Sequence, residues 1–203
     1  MDILGGKGIE YKHRLQKPYC CVPTCVQMIL QRRGFKFSSQ AEIGYDLGLV
    51  VPRPYRKLFP KAQKVKRPKF GWGTRMNLAE YSLTSFFKKR KYPLIKQHYL
   101  AESFSTPKEF CDFIRKNIQE QNDMLISYNY PALWNKWNKR HSGESYGHVS
   151  LIADINYNLI ELVDPEEKKN VTVHARDLLE VMQADYNGIM WCSIWVVKDE
   201  NKK

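Results

Sequence analysis

Apolar residues recur along this chain in two rhythms. From Thr24 to Gly34, the spacing of Val26, Met28, Ile29 and Leu30 suits a buried helix that stops at the glycine. Ser38-Ser39-Gln40-Ala41-Glu42 predicts a capping-box helix start leading to Ile43, Leu47 and Leu49. Asn77 is the expected cap of a helix carrying Leu78, Tyr81, Leu83, Phe86 and Phe87. Thr106-Pro107-Lys108-Glu109 opens another, followed at helical spacing by Phe110, Phe113, Ile114 and Ile118. Further on the rhythm shortens. Strands are expected from Pro93, over Met124–Tyr128, His148–Ile155, Leu159–Val163 and Val171–Val173, and over Met190–Val197, with a helix at Arg176–Met182. Pro52, Pro54, Pro60 and Pro68 mark a long loop that ends at Gly71-Trp72-Gly73. A second, aromatic and polar loop holds Trp134 and Trp137 and runs to Gly147. Helices first and antiparallel strands later give an α+β order, not alternating βαβ units. The expected architecture is a helical N-terminal half packed on a C-terminal antiparallel β-sheet. It forms one domain over residues 1–203, with a basic, Pro-rich insertion at about 50–73.

The two strands around Asn156-Tyr157-Asn158 allow a sharper expectation. Asn tolerates left-handed backbone, so these residues read as a three-residue hairpin loop. Residue 155 then faces 159, 150 faces 164, and 148 faces 166. His148 and Asp164 become diagonal neighbours on one sheet face, roughly 7–8 Å apart at the backbone, which lets their side chains meet. A carboxylate there would hold the imidazole in one tautomer. The plainer alternative is a strand-edge histidine and a strand-ending Asp-Pro turn. His13, His98, His141 and His174 lack a carboxylate at a comparable register.

The cysteines shift the emphasis to the N-terminal helix. Three of the 5 lie between positions 20 and 25. An odd, crowded set does not read as a disulfide scaffold, and C-C-x-x-x-C lacks the paired spacing of a zinc site. Cys111 and Cys192 read as buried apolar residues. A cysteine just ahead of a buried helix sits in the positive end of the helix dipole, which favours the thiolate. Cys21 is the candidate nucleophile, with Cys20 and Cys25 left open as alternatives. Gln16, a few residues upstream, is the candidate oxyanion donor beside the backbone N–H of Cys21. His148 would be the base and Asp164 its orienter. This chemistry calls for no metal or organic cofactor.

The charge is +12, from 33 Lys and Arg against 21 Asp and Glu, and much of it gathers in the long loop. Arg53, Arg56, Lys57, Lys61, Lys64, Lys66, Arg67 and Lys69 fall between Val50 and Phe70 with no acid among them. Lys88-Lys89-Arg90-Lys91 adds a second cluster. Such a field suits an anionic partner at Arg53–Lys69, including nucleic acid or lipid, or else a solvated and partly mobile surface. No nucleic-acid-binding motif accompanies it. No run is long and apolar enough to span a membrane, and Met1–Gly8 lacks the apolar core of a secretory leader, so the expected compartment is cytoplasmic.

These residues together resemble a known family. Cys20-Cys21-Val22-Pro23-Thr24-Cys25-Val26-Gln27-Met28-Ile29-Leu30 resembles the nucleophile helix of the bacteriocin-processing, double-glycine-leader peptidases and their stand-alone relatives, bacterial members of the papain-like superfamily. In that family the motif runs roughly Asp-Cys-Gly-Pro-Ala-x-Leu-x-Met-Ile-Leu, with a glutamine upstream. Its histidine opens a strand, and its aspartate follows about sixteen residues later, before a proline. Asp164 lies sixteen residues after His148 and precedes Pro165. Gly73-Thr74 resembles the pair that precedes the family's middle helix. The likeness covers most of the chain and leaves residues 50–70 as an apparent insertion. It implies a papain-like fold and a cysteine peptidase. That enzyme would hydrolyse a peptide or isopeptide bond through a thioester on Cys21, with His148 as general base and acid, Asp164 as orienter and Gln16 in the oxyanion hole. It implies a peptide or protein substrate. Here Cys20 stands where the family has aspartate, Val22 where it has glycine, and Gln16 one residue nearer the nucleophile. The alternatives are acyl transfer by the same triad, or an inactive module that binds an anionic partner through its basic surface.

Overall fold

The structure is a computed structural model that describes residues 7–66, 68, 71–136, 146–184 and 192–200. Arg67, Lys69, Trp137, His141 and Met190, each part of an expectation above, lie outside the described residues. The fold is α+β. Its helices are α1 (Cys21–Arg32), α2 (Gln40–Asp46), α3 (Leu83–Arg90), α4 (Pro107–Gln119), α5 (Tyr130–Lys136) and α6 (Ala175–Gln183). Its strands are β1 (Leu94–Leu100), β2 (Asp123–Asn129), β3 (Gly147–Asn156), β4 (Leu159–Val163), β5 (Val171–His174) and β6 (Ser193–Asp199). Two compact units emerge, one of Met1–Glu10 with Gln97–Val197, the other of Tyr11–Lys96 with Lys198–Lys203. None of the described helices is long and apolar enough to cross a membrane.

The first unit is built on a sheet of order β1-β6-β2-β3-β4-β5. β2 is its central strand, buried from Asp123 to Tyr128 and antiparallel to both β3 and β6. Helix α4 packs against it and against β3, and α6 packs against it. α4 begins as its sequence predicts: the Thr106 hydroxyl accepts the Glu109 N–H at 3.2 Å, and Pro107 takes the first helical position. Phe110, Ile114 and Ile118 of α4, with Leu178, Leu179 and Met182 of α6, supply a large part of the apolar core. Each such side chain contributes roughly 1.5–3 kcal/mol when removed from water.

The β3–β4 hairpin differs from expectation at its tip and agrees at its base. Asn156 pairs with Leu159, so the loop has two residues, and Tyr157, not an asparagine, takes left-handed backbone at φ 53°. The register is therefore one step off at the tip. It then shifts between Ile152 and Asp154, leaving Ala153 as the extra residue of a β-bulge. Beyond the bulge Ile152 faces Leu162 and Leu151 faces Val163. One more step sets position 150 opposite 164, the expected juxtaposition. The bulge also turns the Ala153 carbonyl out of the ladder, where the Ile9 N–H bonds it at 2.7 Å.

In the second unit α1 and α2 pack together. α1 is buried from Val22 to Leu30. Its one long polar side chain in that stretch, Gln27, donates to the Ser38 carbonyl at 2.7 Å. Pro23 falls in the first turn, where a missing N–H costs the helix nothing. Both helices end in Schellman motifs. In α1 the N–H groups of Gly34 and Phe35 bond the carbonyls of Gln31 and Leu30, and in α2 those of Gly48 and Leu49 bond Tyr45 and Gly44. Leu49 therefore lies past the end of α2. Ser39 and Glu42 form the reciprocal capping box that the sequence predicts. The cap of α3 is Ser82, accepting from the Ser85 N–H, and not Asn77; a 3-10 turn at Ala79–Tyr81 precedes it. Ser82 wins because its hydroxyl reaches the orphan N–H groups of the first turn. Lys89 and Arg90, in the last turn of α3, both bind Asp46, at 2.6 and 2.7 Å, so part of the second basic cluster is structural.

Gly48 has φ +70°, and a Cβ there would sit 2.7 Å from Cγ of Tyr81 and 3.0 Å from Cβ of Arg75. Gly48→Ala combines backbone strain with overpacking. It is expected to lower unfolding free energy by about 1–3 kcal/mol, read as a lower urea midpoint at unchanged slope.

The basic loop is folded. Val50 and Gly73 exchange both backbone hydrogen bonds at 2.9 Å, and Gln63 donates to the Leu49 carbonyl. Phe59 and Ala62 turn inward, 1% and 7% exposed, onto Leu49, Val51 and Cys20. The expectation of a solvated surface does not hold at Phe59 and Ala62, although Leu58 and Tyr55 are exposed.

Candidate active site

The second unit carries the thiol. The chain turns at Lys17, whose carbonyl accepts the Cys20 N–H at 3.0 Å, and Tyr19 passes through left-handed backbone at φ 65°. Cys20 occupies the cap position of α1 with no exposed surface, packed on the Phe59 cluster. Burial, reinforced by Cys21 and opposed by Lys17, pushes its thiol up to about 12, so it stays protonated at neutral pH. Cys25 is likewise fully buried. Cys21, the first residue of α1, is partly exposed. Of the three clustered cysteines it alone combines access with the dipole end of a long helix. An apolar Cys20 where the resembling family has aspartate acts here as a packing anchor for the start of that helix.

Gln16 is partly buried on the strand-free segment before the turn. Its two neighbours are held by one side chain: Gln40 donates from Nε2 to the Leu15 carbonyl at 2.9 Å and accepts the Lys17 N–H on Oε1 at 2.7 Å. The backbone on both sides of Gln16 is thereby tied to the first residue of α2. Gln40 was not among the residues singled out from the sequence. Its contact is between segments more than twenty residues apart and leaves no periodic trace.

The first unit carries the imidazole and its carboxylate. His148 and Asp164, 2% and 1% exposed, meet with Nε2 to Oδ1 at 2.8 Å. Oδ1 also accepts the Glu166 N–H at 2.8 Å. Oδ2 accepts the Tyr128 hydroxyl at 2.8 Å and the Ser150 hydroxyl at 3.1 Å. Burial alone would raise the Asp164 carboxyl. The His148 charge and hydrogen bond, the Glu166 N–H and the Tyr128 hydroxyl outweigh it and hold the group below the usual carboxylate range. Burial, then Asp164, pushes the Tyr128 phenol far up, so it remains a donor. A carboxylate facing Nε2 makes that nitrogen the N–H, which leaves Nδ1 as the basic atom of a neutral ring. Tyr130 packs edge-on against the imidazole, with centroids 4.8 Å apart, and its hydroxyl donates to Glu167 at 3.0 Å.

The structure thus brings His148 and Asp164 into contact, and the register predicted Ser150 opposite Asp164 without assigning it a role. Tyr128 was missed. It faces His148 directly across β2–β3. That pairing is not closed by a turn, so no loop length fixes it in the sequence. Two other described histidines sit elsewhere: His98 stacks on Trp195 with centroids 5.6 Å apart, and His174 is at the cap of α6. Cys111 and Cys192 have thiols raised by burial, Cys192 to about 11. Among the described residues no cluster of three or more His, Cys, Asp or Glu is arranged to hold a metal ion.

No protein-family model matches the chain, and no curated protein sequence matches it. Several solved structures do, two of which illustrate the likeness. One is a double-glycine-motif protease from an AMS/PCAT transporter, in complex with a leader peptide. It aligns over 96% of this chain and 95% of its own, at 16% identity and TM-score 0.50. The other is a C39-like peptidase from Bacillus anthracis, aligned over 93% of this chain and 98% of its own, at 13% identity and TM-score 0.52. At such identities the likeness establishes a shared fold, and it bears out the papain-like peptidase fold expected from the cysteine helix and the His–Asp hairpin.

Proposed function

We propose that the chain is a cysteine peptidase. Nδ1 of His148 takes the proton of Cys21, and the thiolate attacks the carbonyl carbon of a peptide or isopeptide bond. The oxyanion is met by the Cys21 backbone N–H and the Gln16 side-chain amide, whose backbone Gln40 steadies. The imidazolium returns its proton to the leaving amine. Water, deprotonated by the same nitrogen, then hydrolyses the thioester and regenerates the thiol. Asp164 keeps Nε2 protonated throughout and stabilises the imidazolium.

The observation that carries this reading is the Asp164 carboxylate. It is buried, held ionised by four hydrogen bonds, and directed at one nitrogen of His148. Buried ion pairs are poor devices for stability alone, and perturbed carboxylates of this kind concentrate at functional sites. The fold shared with two peptidases supports the reaction class, and a leader peptide bound to one of them supports a peptide as substrate.

The test is chemical. Full-length protein is treated with an equimolar peptidyl vinyl sulfone across pH, and the modified residue is read by mass spectrometry. Alkylation confined to Cys21, already fast near neutral pH, is the expected result. Modification at the rate of free cysteine, or at Cys192 or Cys111 instead, would falsify the assignment.

A further inference from the structure

The basic loop contains a cleft of about 300 Å³, lined by Arg56, Lys57, Phe59, Pro60, Ala62 and Lys64. We propose that it is a subsite for an acidic side chain, Asp or Glu, of the peptide substrate; the proposal rests on the peptidase reading above.

Charge and hydrogen bonding argue for a carboxylate. Arg56 gives Nη2 to the Val65 carbonyl at 2.8 Å, but its Nε–H is buried and has no acceptor. A buried donor without a partner is destabilising, and the same guanidinium lines the cleft. Arginine and carboxylate oxygens suit one another in geometry as well as charge. No acidic residue occurs anywhere from Leu47 to Ala79, so the loop offers no carboxylate of its own. Among the described residues, Arg56, Lys57 and Lys64 form no ion pair. The cations sit around apolar Phe59, Pro60 and Ala62, of which Pro60 is exposed, which fits the methylenes of Glu or Asp beneath a charged head. The volume lies at the small end of ligand sites and suits one side chain.

Position argues for the substrate over an unrelated anion. Phe59 and Ala62, the floor of the cleft, belong to the same apolar cluster as Cys20. The ring of Tyr55 meets that of Tyr19 edge-on at 5.1 Å. The segment that carries the cleft is thus packed directly on the residues that precede Cys21. A side chain seated there orders the same small core that fixes the start of α1.

The experiment uses the full-length Cys21→Ala protein, which cannot turn a substrate over. Fluorescence anisotropy follows binding of labelled peptide pools in an Ala/Gly/Ser background, with a single Glu walked through every position, against matched pools carrying Gln. The expected result is at least tenfold tighter binding of the Glu pools, lost in Arg56→Gln and weakened by added salt. Arg56 also holds the Val65 carbonyl, so a second variant, Lys57→Gln with Lys64→Gln, changes only exposed lining residues and should reduce the discrimination several-fold. Equal binding of Glu and Gln pools overturns the proposal, as does discrimination that survives both variants. Inorganic phosphate that binds as tightly as the Glu pools, with no preference between the pools, overturns it in favour of a free-anion site. Wild-type protein separates the two readings. Binding with discrimination but no cleavage defeats only the peptidase, whereas cleavage of both pools at equal kcat/KM defeats only the subsite.

Discussion

Cys21→Ala is expected to abolish peptide hydrolysis, with kcat falling by about 10⁶, the scale set by removing a nucleophile that works as a unit with its base. The remaining rate would reflect substrate binding and oxyanion donors alone. Stability should change little. Cys21 is partly exposed at the first position of α1, and the cap beside it is Cys20, whose packing is untouched. Surface changes of this kind usually stay within about 0.5 kcal/mol. The contrast with Cys20→Ser is informative. That change puts a hydroxyl into a fully buried apolar cluster and should cost stability while leaving the thiol chemistry at position 21 in place. A Cys21→Ala protein that still cleaves peptide at the wild-type rate, measured with a quenched fluorogenic library, would end the peptidase reading.

Asp164→Ala should damage both folding and catalysis. It strips the acceptor from His148 Nε2, the Glu166 N–H and the hydroxyls of Tyr128 and Ser150, all within a nearly solvent-free site. Breaking a buried charged pair from one side costs about 3–5 kcal/mol. The imidazole also loses the carboxylate that sets its tautomer, and activity should fall steeply; in a comparable Ser-His-Asp enzyme even Asp→Asn costs about 10⁴ in kcat. Asp164→Asn should be milder for folding. An amide oxygen in the place of Oδ1 can still accept from Nε2 and the Glu166 N–H, and the amide N–H groups can turn to the two hydroxyl oxygens. The pH dependence follows from the lowered Asp164 carboxyl. A carboxyl depressed in the folded state stabilises above its unfolded value, near 3.9, and that stabilisation disappears as pH falls through the folded value. The gap in unfolding free energy between wild type and Asp164→Ala should therefore be full at neutral pH and shrink as pH drops below about 4. A gap independent of pH from 7 down to 2 would show that the carboxylate is not held ionised.

The His148–Asp164 contact was legible because a hairpin is nearly arithmetic: once a loop length is assumed, every pair follows. A three-residue loop is one residue longer than the actual tip, yet it gives the same contact at the base, because the bulge at Ala153 restores the missing residue. Helix starts at Ser39 and Thr106 are legible because capping is local chemistry, whereas the apolar pattern behind Asn77 extends across a 3-10 turn that delays the helix to Ser82. Helix α5 escaped because Tyr130-Pro131 and the tryptophan that follows carry no 3.6-residue rhythm of their own. The partners that steady the candidate site, Tyr128 across β2–β3 and Gln40 across the turn before α1, come from distant segments. Nothing in a single sequence fixes such pairings. The inward side of the basic loop was hidden by its charge: between the prolines and lysines, Phe59 and Ala62 look like isolated apolar residues, and only the packing with Cys20 gives them a role.

The extra residue at Ala153 has a consequence for how the hairpin tolerates change. A two-residue tip with a bulge and a three-residue tip without one bring the same side chains together at the open end of the ladder. Insertion of a single residue beside Tyr157 can therefore be absorbed by annealing the irregularity at Ala153, and the distance from imidazole to carboxylate is preserved. The Ile9 amide, bonded to the displaced carbonyl, holds this slack in its present place. The hairpin thus joins a tip that accepts drift in length to a base that does not.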